Sequence, residues 1–446
     1  MQIIADLHIH SKYSRAVSQK MDLFEIASSA TAKGIQLVTT GDWTHPLWFR
    51  HLTENLQETD SGVYILKNGR YKNVRFLLTT EISSIYSQGG KLRRIHNLVF
   101  SPSLAVTERI NKKLESEGAK LLSDGRPIIG LSSRDLLALL LAIDQNIMLV
   151  PCHAWTPWFS LYGSKSGFDS IEECFGEYAN EIYAVETGLS SDPIMNWQIK
   201  ELDQRAIISS SDAHSGPKLG REATVFIPTV KQLNNEKVGF NYTDITGAIK
   251  QNPNSRLKIG YTIEFFPEEG KYHWTGHRAC NIRYNPLEVR EKGVICPVCR
   301  RPLTVGVENR VLDLSARTIT KDGLLFLQNK AGLTFVYDKE KKRKPFVSLI
   351  PLLEILTEIN DGSQVKAIQQ YDNLTTQHTE FDILMRVNYD EIAKIASEKL
   401  AEAIRIVRER KAYVDPGYDG VFGKVKIFNR NDQKEATTAA SQESLF

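Results

Sequence analysis

The chain has 446 residues, 41% hydrophobic and 24% charged, with a formal net charge of +3. That length predicts two or three domains. The composition is that of an ordinary globular protein, and the mild charge leaves any nucleic-acid surface to local basic patches. No apolar run is long enough for a membrane span, and Met1 leads into a polar, acidic segment unlike a signal peptide, so a soluble cytoplasmic protein is expected. Three of the five cysteines cluster with a histidine late in the chain, which reads as metal binding in a reducing compartment.

Up to residue 228, short apolar runs alternate with amphipathic ones. After Ile3-Ile4-Ala5, strands are expected at Ile35–Thr40, Arg75–Thr80, Ile95–Phe100, Ile147–Pro151, Ile182–Glu186, Ala206–Ser210 and Thr224–Pro228. Helices are expected at Met21–Lys33, Thr107–Glu117, Ser132–Gln145, Ile171–Ala179 and Asp192–Gln204. This alternation predicts an α/β fold with a largely parallel sheet, and the number of repeats favours a barrel, in which functional residues follow the strands.

The residues at those strand ends carry chemistry. His8 and His10 are two apart, so in extended chain they share a face, with Asp6 on the same side. Asp42 and His45 follow the second run, Glu81 the third, His153 a later one, Glu186 ends its own, and Asp212 and His214 follow Ser209-Ser210-Ser211. His96 stands at the start of its run instead. Mixed imidazole and carboxylate groups at one barrel mouth suit zinc, iron or manganese.

Asp6-Leu-His8-Ile-His10-Ser11, Gly41-Asp42, Glu81, His96, Pro151-Cys152-His153 and Ser211-Asp212-Ala213-His214 resemble the motifs of the PHP (polymerase and histidinol phosphatase) domain. The resemblance implies a distorted, TIM-like (β/α)7 barrel holding two or three divalent metals, zinc or else manganese, magnesium or iron. It would put His8, His10, Glu81 and Asp212 on one metal. Glu81 would bridge to a second held by His96 and His153, and His214 would serve a third. The family's further histidines, after His-x-His and beside the second acid, are replaced here by Ser14 or Arg15 and by Trp43, with Asp42 or His45 as substitutes. Two metals about 4 Å apart acidify a bridging water and clamp the oxygens of an in-line displacement, so phosphate-ester hydrolysis by a metal-bound hydroxide is the expected reaction.

Trp155, Trp158, Phe159 and Tyr162 crowd behind His153, and Trp43 and Trp48 follow Asp42. Trp43, Trp155, Trp158 and Tyr162 are candidates for holding a base, with core packing the alternative. The basic clusters Lys91-Leu92-Arg93-Arg94 and Lys339–Lys344 read as solvated loops or phosphate contacts, Arg93 and Arg94 foremost.

Residues 229–265 read as a connector between the barrel (1–228) and a zinc-binding unit (266–310). There His277-x2-Cys280 and Cys296-x2-Cys299 supply four ligands for one closed structural zinc, with His273 a less well spaced alternative to His277. A mainly helical domain is expected over 311–428, with Tyr389–Arg410 as one long helix and a turn at Asp415–Gly420 leading to a strand-like Val425–Phe428. Lys271–Cys280, Leu303-Thr304-Val305-Gly306-Val307, Ile350–Glu354 and Pro416–Gly420 resemble the endonuclease Q family. That resemblance implies an enzyme nicking DNA 5′ of deaminated bases (hypoxanthine, uracil, xanthine) and of abasic sites, leaving a 3′-hydroxyl and a 5′-phosphate, in a nucleoid-associated setting. A PHP phosphoesterase acting on a small monoester, or an inactive DNA-binding scaffold, are the alternatives. The tail, 429–446, reads as disordered. Its end, Gln442-Glu443-Ser444-Leu445-Phe446, resembles the peptide with which bacterial repair proteins bind the sliding clamp, Gln442, Leu445 and Phe446 being the contact residues.

Overall fold

The run Ile3-Ile4-Ala5 becomes a wholly buried strand at the centre of the first half of the molecule. A computed structural model describes residues 2–229 and 239–428. The strands of the first half are β1 (Ile3–Asp6), β2 (Leu37–Thr39), β3 (Leu56–Asp60), β4 (Val63–Leu66), β5 (Arg75–Gln88), β6 (Lys91–Ser101), β7 (Ile128–Ile129), β8 (Met148–Pro151), β9 (Ala184–Glu186), β10 (Ala206–Ile208) and β11 (Ala223–Pro228). The helix Leu23–Lys33 shows why the expected helices form. Asp22 caps its first amides, Leu23, Ile26, Ala27 and Ala30 make a buried stripe, and Gly34 ends it at φ 82°.

Strands β1, β2 and β5 run parallel. The remainder of the ring is mixed: β5–β6 and β6–β8 are antiparallel, β9–β10 parallel, and β11 antiparallel to β1. Hydrogen bonds close the ring where ladders are missing: Ala154 N–H donates to Glu186 O, and the Ser209 backbone pairs with Thr224 Oγ1, each at 3.0 Å. The result is the expected α/β barrel, but less parallel than the sequence suggests. The cause is local: Gly89 and Gly90, both at positive φ, make a two-residue hairpin turn that sends β6 back along β5. His96 therefore reaches the mouth from the middle of a reversed strand, which explains its odd place in the pattern.

Within 229–265, expected as a connector, the described residues 239–265 instead add a helix and a further strand of the sheet. Helix Tyr242–Ile249 begins with an Asn241/Asp244 capping box, and β12 (Leu257–Glu264) pairs antiparallel with β11. Strand Phe346–Ser348 adds to β12 in parallel, followed by Thr334–Asp338 and Leu324–Gln328. Part of the supposed helical domain is thus sheet. The helix expected over Tyr389–Arg410 divides into Tyr389–Ile395 and Glu398–Arg408, because the Ser397 side chain caps a new start. Asp192–Gln204 likewise breaks into two short turns of helix. Helix Pro46–Asn55 and the β3–β4 hairpin were not expected at all.

The two halves are locked together by a buried ion pair, Lys33 Nζ to Glu380 Oε2 at 2.7 Å, with Glu380 also accepting from Tyr371 and from Leu352 N–H. Among the described residues no helix is long and apolar enough to cross a membrane. The candidate clamp peptide, with Gln442, Leu445 and Phe446, lies outside the described residues.

Candidate metal centre

At the mouth, side chains converge from loops after strands and, for Glu81 and His96, from the middle of β5 and β6. His8 and His10 follow β1 and are buried. Nε2 of each, together with Asp212 Oδ1, is buried without a hydrogen bond among the described residues. His10 Nε2 is 3.1 Å from Asp212 Oδ1 and 3.2 Å from Glu81 Oε2, and His8 Nε2 lies 3.8 and 3.9 Å from the same two atoms. Buried polar atoms are paired almost without exception, so orphaned atoms facing one point fit a cation. A second group joins through Glu81, whose Oε1 is 2.5 Å from His96 Nδ1 and 3.2 Å from His153 Nε2. His8/His10/Asp212 and Glu81/His96/His153 each bring their ligand atoms within 4.8 Å of one another. The expected ligands are therefore assembled, with Glu81 between the two groups.

Outer partners fix these rings. Glu186 spans His8 Nδ1 at 3.1 and 3.0 Å and accepts from His153 N–H at 2.9 Å. Asp42, expected among the ligands, stands behind His10 instead. Its Oδ1 holds His10 Nδ1 at 2.9 Å, and its Oδ2 accepts from Ser11 N–H and Oγ at 2.6 and 2.7 Å. Such carboxylate–histidine pairs set the tautomer that leaves Nε2 bare. Asp6 also points away from the cluster, accepting from Ser211 N–H, Ser211 Oγ and Gly220 N–H, so it positions the Asp212 loop. Asp42, His153 and Asp212 all adopt positive φ (49°, 29° and 48°), a cost that the surrounding contacts hold in place. Gly188 permits one such contact, since a Cβ there would strike His153.

The charges suit cations. Burial opposes ionisation of Glu81, but His96 and Arg126 hold its pKa well below the usual carboxylate range. Burial likewise opposes ionisation of Asp212, and His10 and His8 reverse it. Burial lowers His96 to about 4 despite Glu81, leaving a neutral imidazole. His214 donates from Nδ1 to Asp212 O at 2.8 Å, and its ring sits 4.8 Å from that of His10, at the edge of the cluster. His45 stacks on Tyr13.

The aromatic residues divide differently from expectation. Trp43 is fully buried. Trp155 stacks on Tyr162 and donates to Asn196, while the Tyr162 hydroxyl donates to Glu201. These three are core: all are buried, and Trp155 and Tyr162 have their polar tips paired inside, while the Trp43 Nε1 is buried without a partner among the described residues. Trp158 is half-buried, edge-on to Tyr272. With Tyr272, Lys165, Arg278 and Arg301 it lines a cleft of about 540 Å³ between the barrel and the zinc-binding unit. Arg93 is spent on Gly167 O and the Phe168 face, whereas Arg94 lies over Phe159. Across the cleft, His277, Cys280, Cys296 and Cys299 converge as a second metal-binding set.

Two residues escaped the sequence reading in their roles: Glu186, noted only as a strand end, and Arg126, whose Nη1 donates to Glu81 Oε2 at 3.0 Å.

No protein-family model matches the chain. The uncharacterized protein MJ0043 of Methanocaldococcus jannaschii is 32% identical over 283 residues, 62% of this chain; the match spans only 31% of that protein's length. The uncharacterized protein YqxK of Bacillus subtilis is 27% identical over 443 residues, covering 95% of this chain and 99% of its own. Among crystal structures, the lesion-specific endonuclease PfuEndoQ from Pyrococcus furiosus shares the fold at a TM-score of 0.77 and 28% identity, over 98% of this chain and 99% of that one. A complex of endonuclease Q with a 27-mer duplex carrying an abasic lesion at the active site gives 0.78 and 28%, over 96% and 97%. Fold and ligand set are those of a metal-dependent hydrolase of the nuclease class. Within that class, the chain is similar to endonuclease Q over nearly its whole length.

Proposed function

We propose that this protein is a DNA repair endonuclease that hydrolyses the phosphodiester 5′ of deaminated bases (hypoxanthine, uracil and xanthine) and of abasic sites. The observation that carries the reading is the Glu81-bridged cluster, in a chain resembling endonuclease Q over nearly its whole length.

In this reading His8, His10, Glu81 and Asp212 would hold one divalent cation, Glu81, His96 and His153 would hold a second, and His214 would serve a third. Bound cations of this kind supply an acidified water and neutralise charge on the phosphate. The chain's own part is orientation. Glu186 and Asp42 fix the His8 and His10 rings, and the buried walls exclude bulk water. The loop that starts at His153 also carries Trp158, and Phe159 O accepts from His96 N–H at 3.2 Å, so the cleft wall and two ligands are one piece. A base turned out of the stack would lie against Trp158 and Tyr272, with Lys165, Arg278 and Arg301 meeting backbone phosphates. His277, Cys280, Cys296 and Cys299 would hold a structural zinc that shapes the other wall. The terminal peptide Gln442–Phe446 would tether the enzyme to a sliding clamp.

Asp212→Asn tests the assignment. It keeps size and hydrogen bonding but removes an anionic ligand. Incision of a lesion-bearing duplex should disappear while duplex binding, followed by fluorescence anisotropy, persists. Undiminished nicking would remove Asp212 from the site.

A further inference from the structure

The segment Asp124–Pro127 is pinned from several sides. Gly125 N–H donates to Tyr13 O at 3.0 Å, Gly125 O accepts from Thr44 Oγ1 at 3.0 Å, Arg126 N–H donates to Asp124 Oδ1 at 3.1 Å, and Pro127 O accepts from Ser83 N–H at 2.9 Å. Gly125 lies so close to Asp42 and Ser14 that a Cβ would fall 2.5–2.6 Å from their side-chain atoms. The product of this anchoring is the placement of one side chain at the cluster, that of Arg126.

The Arg126 guanidinium is 25% exposed, and its one hydrogen bond among the described residues is the 3.0 Å contact to Glu81 Oε2. A guanidinium has five N–H donors in a planar fork, so most of this one is unused. Arg221, beside the same loop, is committed to the backbone oxygens of Ser211 and Asp212. Glu81 Oε2 is also 3.2 Å from His10 Nε2, so it belongs to the ligand set and is shared between that role and Arg126.

We propose that Arg126 is a catalytic residue that grips a non-bridging oxygen of the scissile phosphate with the donors Glu81 leaves free. The proposal rests on the reading of this centre as a phosphodiesterase. A phosphodiester brings anionic oxygens spaced for the guanidinium fork, and the partly buried setting strengthens the contact. Charge on the phosphoryl oxygens is what such a group stabilises as the P–O bond to the 3′ oxygen breaks. A residue serving only to hold Glu81 would not need spare donors at the open side.

Arg126→Ala and Arg126→Lys in the metal-loaded full chain test this against a purely structural role. Single-turnover incision of an end-labelled lesion duplex, metal content and thermal midpoint are measured together. Arg126→Ala should lower the single-turnover rate about 10²–10³-fold with metal content and midpoint unchanged. Millimolar guanidinium ion should restore part of the rate, and Arg126→Lys should be intermediate. A wild-type rate in Arg126→Ala, or a loss that tracks lost metal and ignores added guanidinium, would overturn the proposal. If the wild-type chain turns over p-nitrophenyl phosphate but cuts no duplex, the DNA reading fails. The same variants scored on the monoester then judge Arg126 separately, because the phosphate oxygens are common to both substrates.

Discussion

Glu186 shows how a residue can belong to the site without touching its centre. One carboxylate holds the His8 ring and the His153 backbone, the two residues that come from opposite groups of the cluster. Glu186→Ala should weaken metal binding about 10–100-fold without removing any ligand, read by competition with a chelator; unchanged affinity would make Glu186 a packing residue. The residues that converge at the cluster were legible in the sequence, because His8-x-His10, Glu81, His153 and Asp212 each follow an apolar run. Asp42 was legible as a residue of this cluster but stands behind His10, since spacing cannot tell a carboxylate that faces the cluster from one that holds a histidine. Arg126 left no signal, because an arginine before a proline in a loop looks like any solvated turn. Trp43, Trp155 and Tyr162 misled for the converse reason: aromatic crowding beside a motif is as good a sign of core as of a wall.

At the level of elements, the strand starts at 75, 91–95 and 147–148 were readable from β-branched runs, while their directions were not. Direction depends on a two-residue glycine turn at Gly89-Gly90 and on long-range pairing. The 229–265 segment was misread because its polar ends hide β12, whose last residue, Glu264, is buried. Glu264 receives hydrogen bonds from Ser209 and Thr262, tying β12 to the loop after β10. Burial pushes its pKa up to about 8, with Asp192 adding to the rise against the hydrogen bonds, and Glu222 nearby is raised as well. The folded chain therefore keeps a proton that the unfolded chain releases above its ordinary value near 4.5. This contribution is complete below that value and is lost as pH rises through about 8. The thermal midpoint should fall between pH 5 and 9, and Glu264→Gln should make that fall shallower. An identical slope in the variant would place the titrating group elsewhere.

Over the whole molecule, barrel and C-terminal half are one construction. The sheet runs from the barrel through β12 into Phe346–Ser348, and Lys33–Glu380 joins helices 347 residues apart. The aromatic and basic cleft lies between the loop that holds His153 and the His277/Cys280/Cys296/Cys299 set. The clustered histidines and carboxylates come from the first half of the chain. The cleft beside them is walled by both halves, Trp158 and Lys165 from the first and Tyr272, Arg278 and Arg301 from the second, which suits the proposed reading of a large duplex substrate with a single-base target. The most direct test of that account is incision of end-labelled duplexes by the metal-loaded chain, each carrying one inosine, uracil, abasic site or normal base at the same position. The account predicts a single nick 5′ of the lesion, with a 3′-hydroxyl and 5′-phosphate, and none in the normal duplex. Equal cutting of all duplexes, or p-nitrophenyl phosphate turnover with every duplex intact, would contradict it.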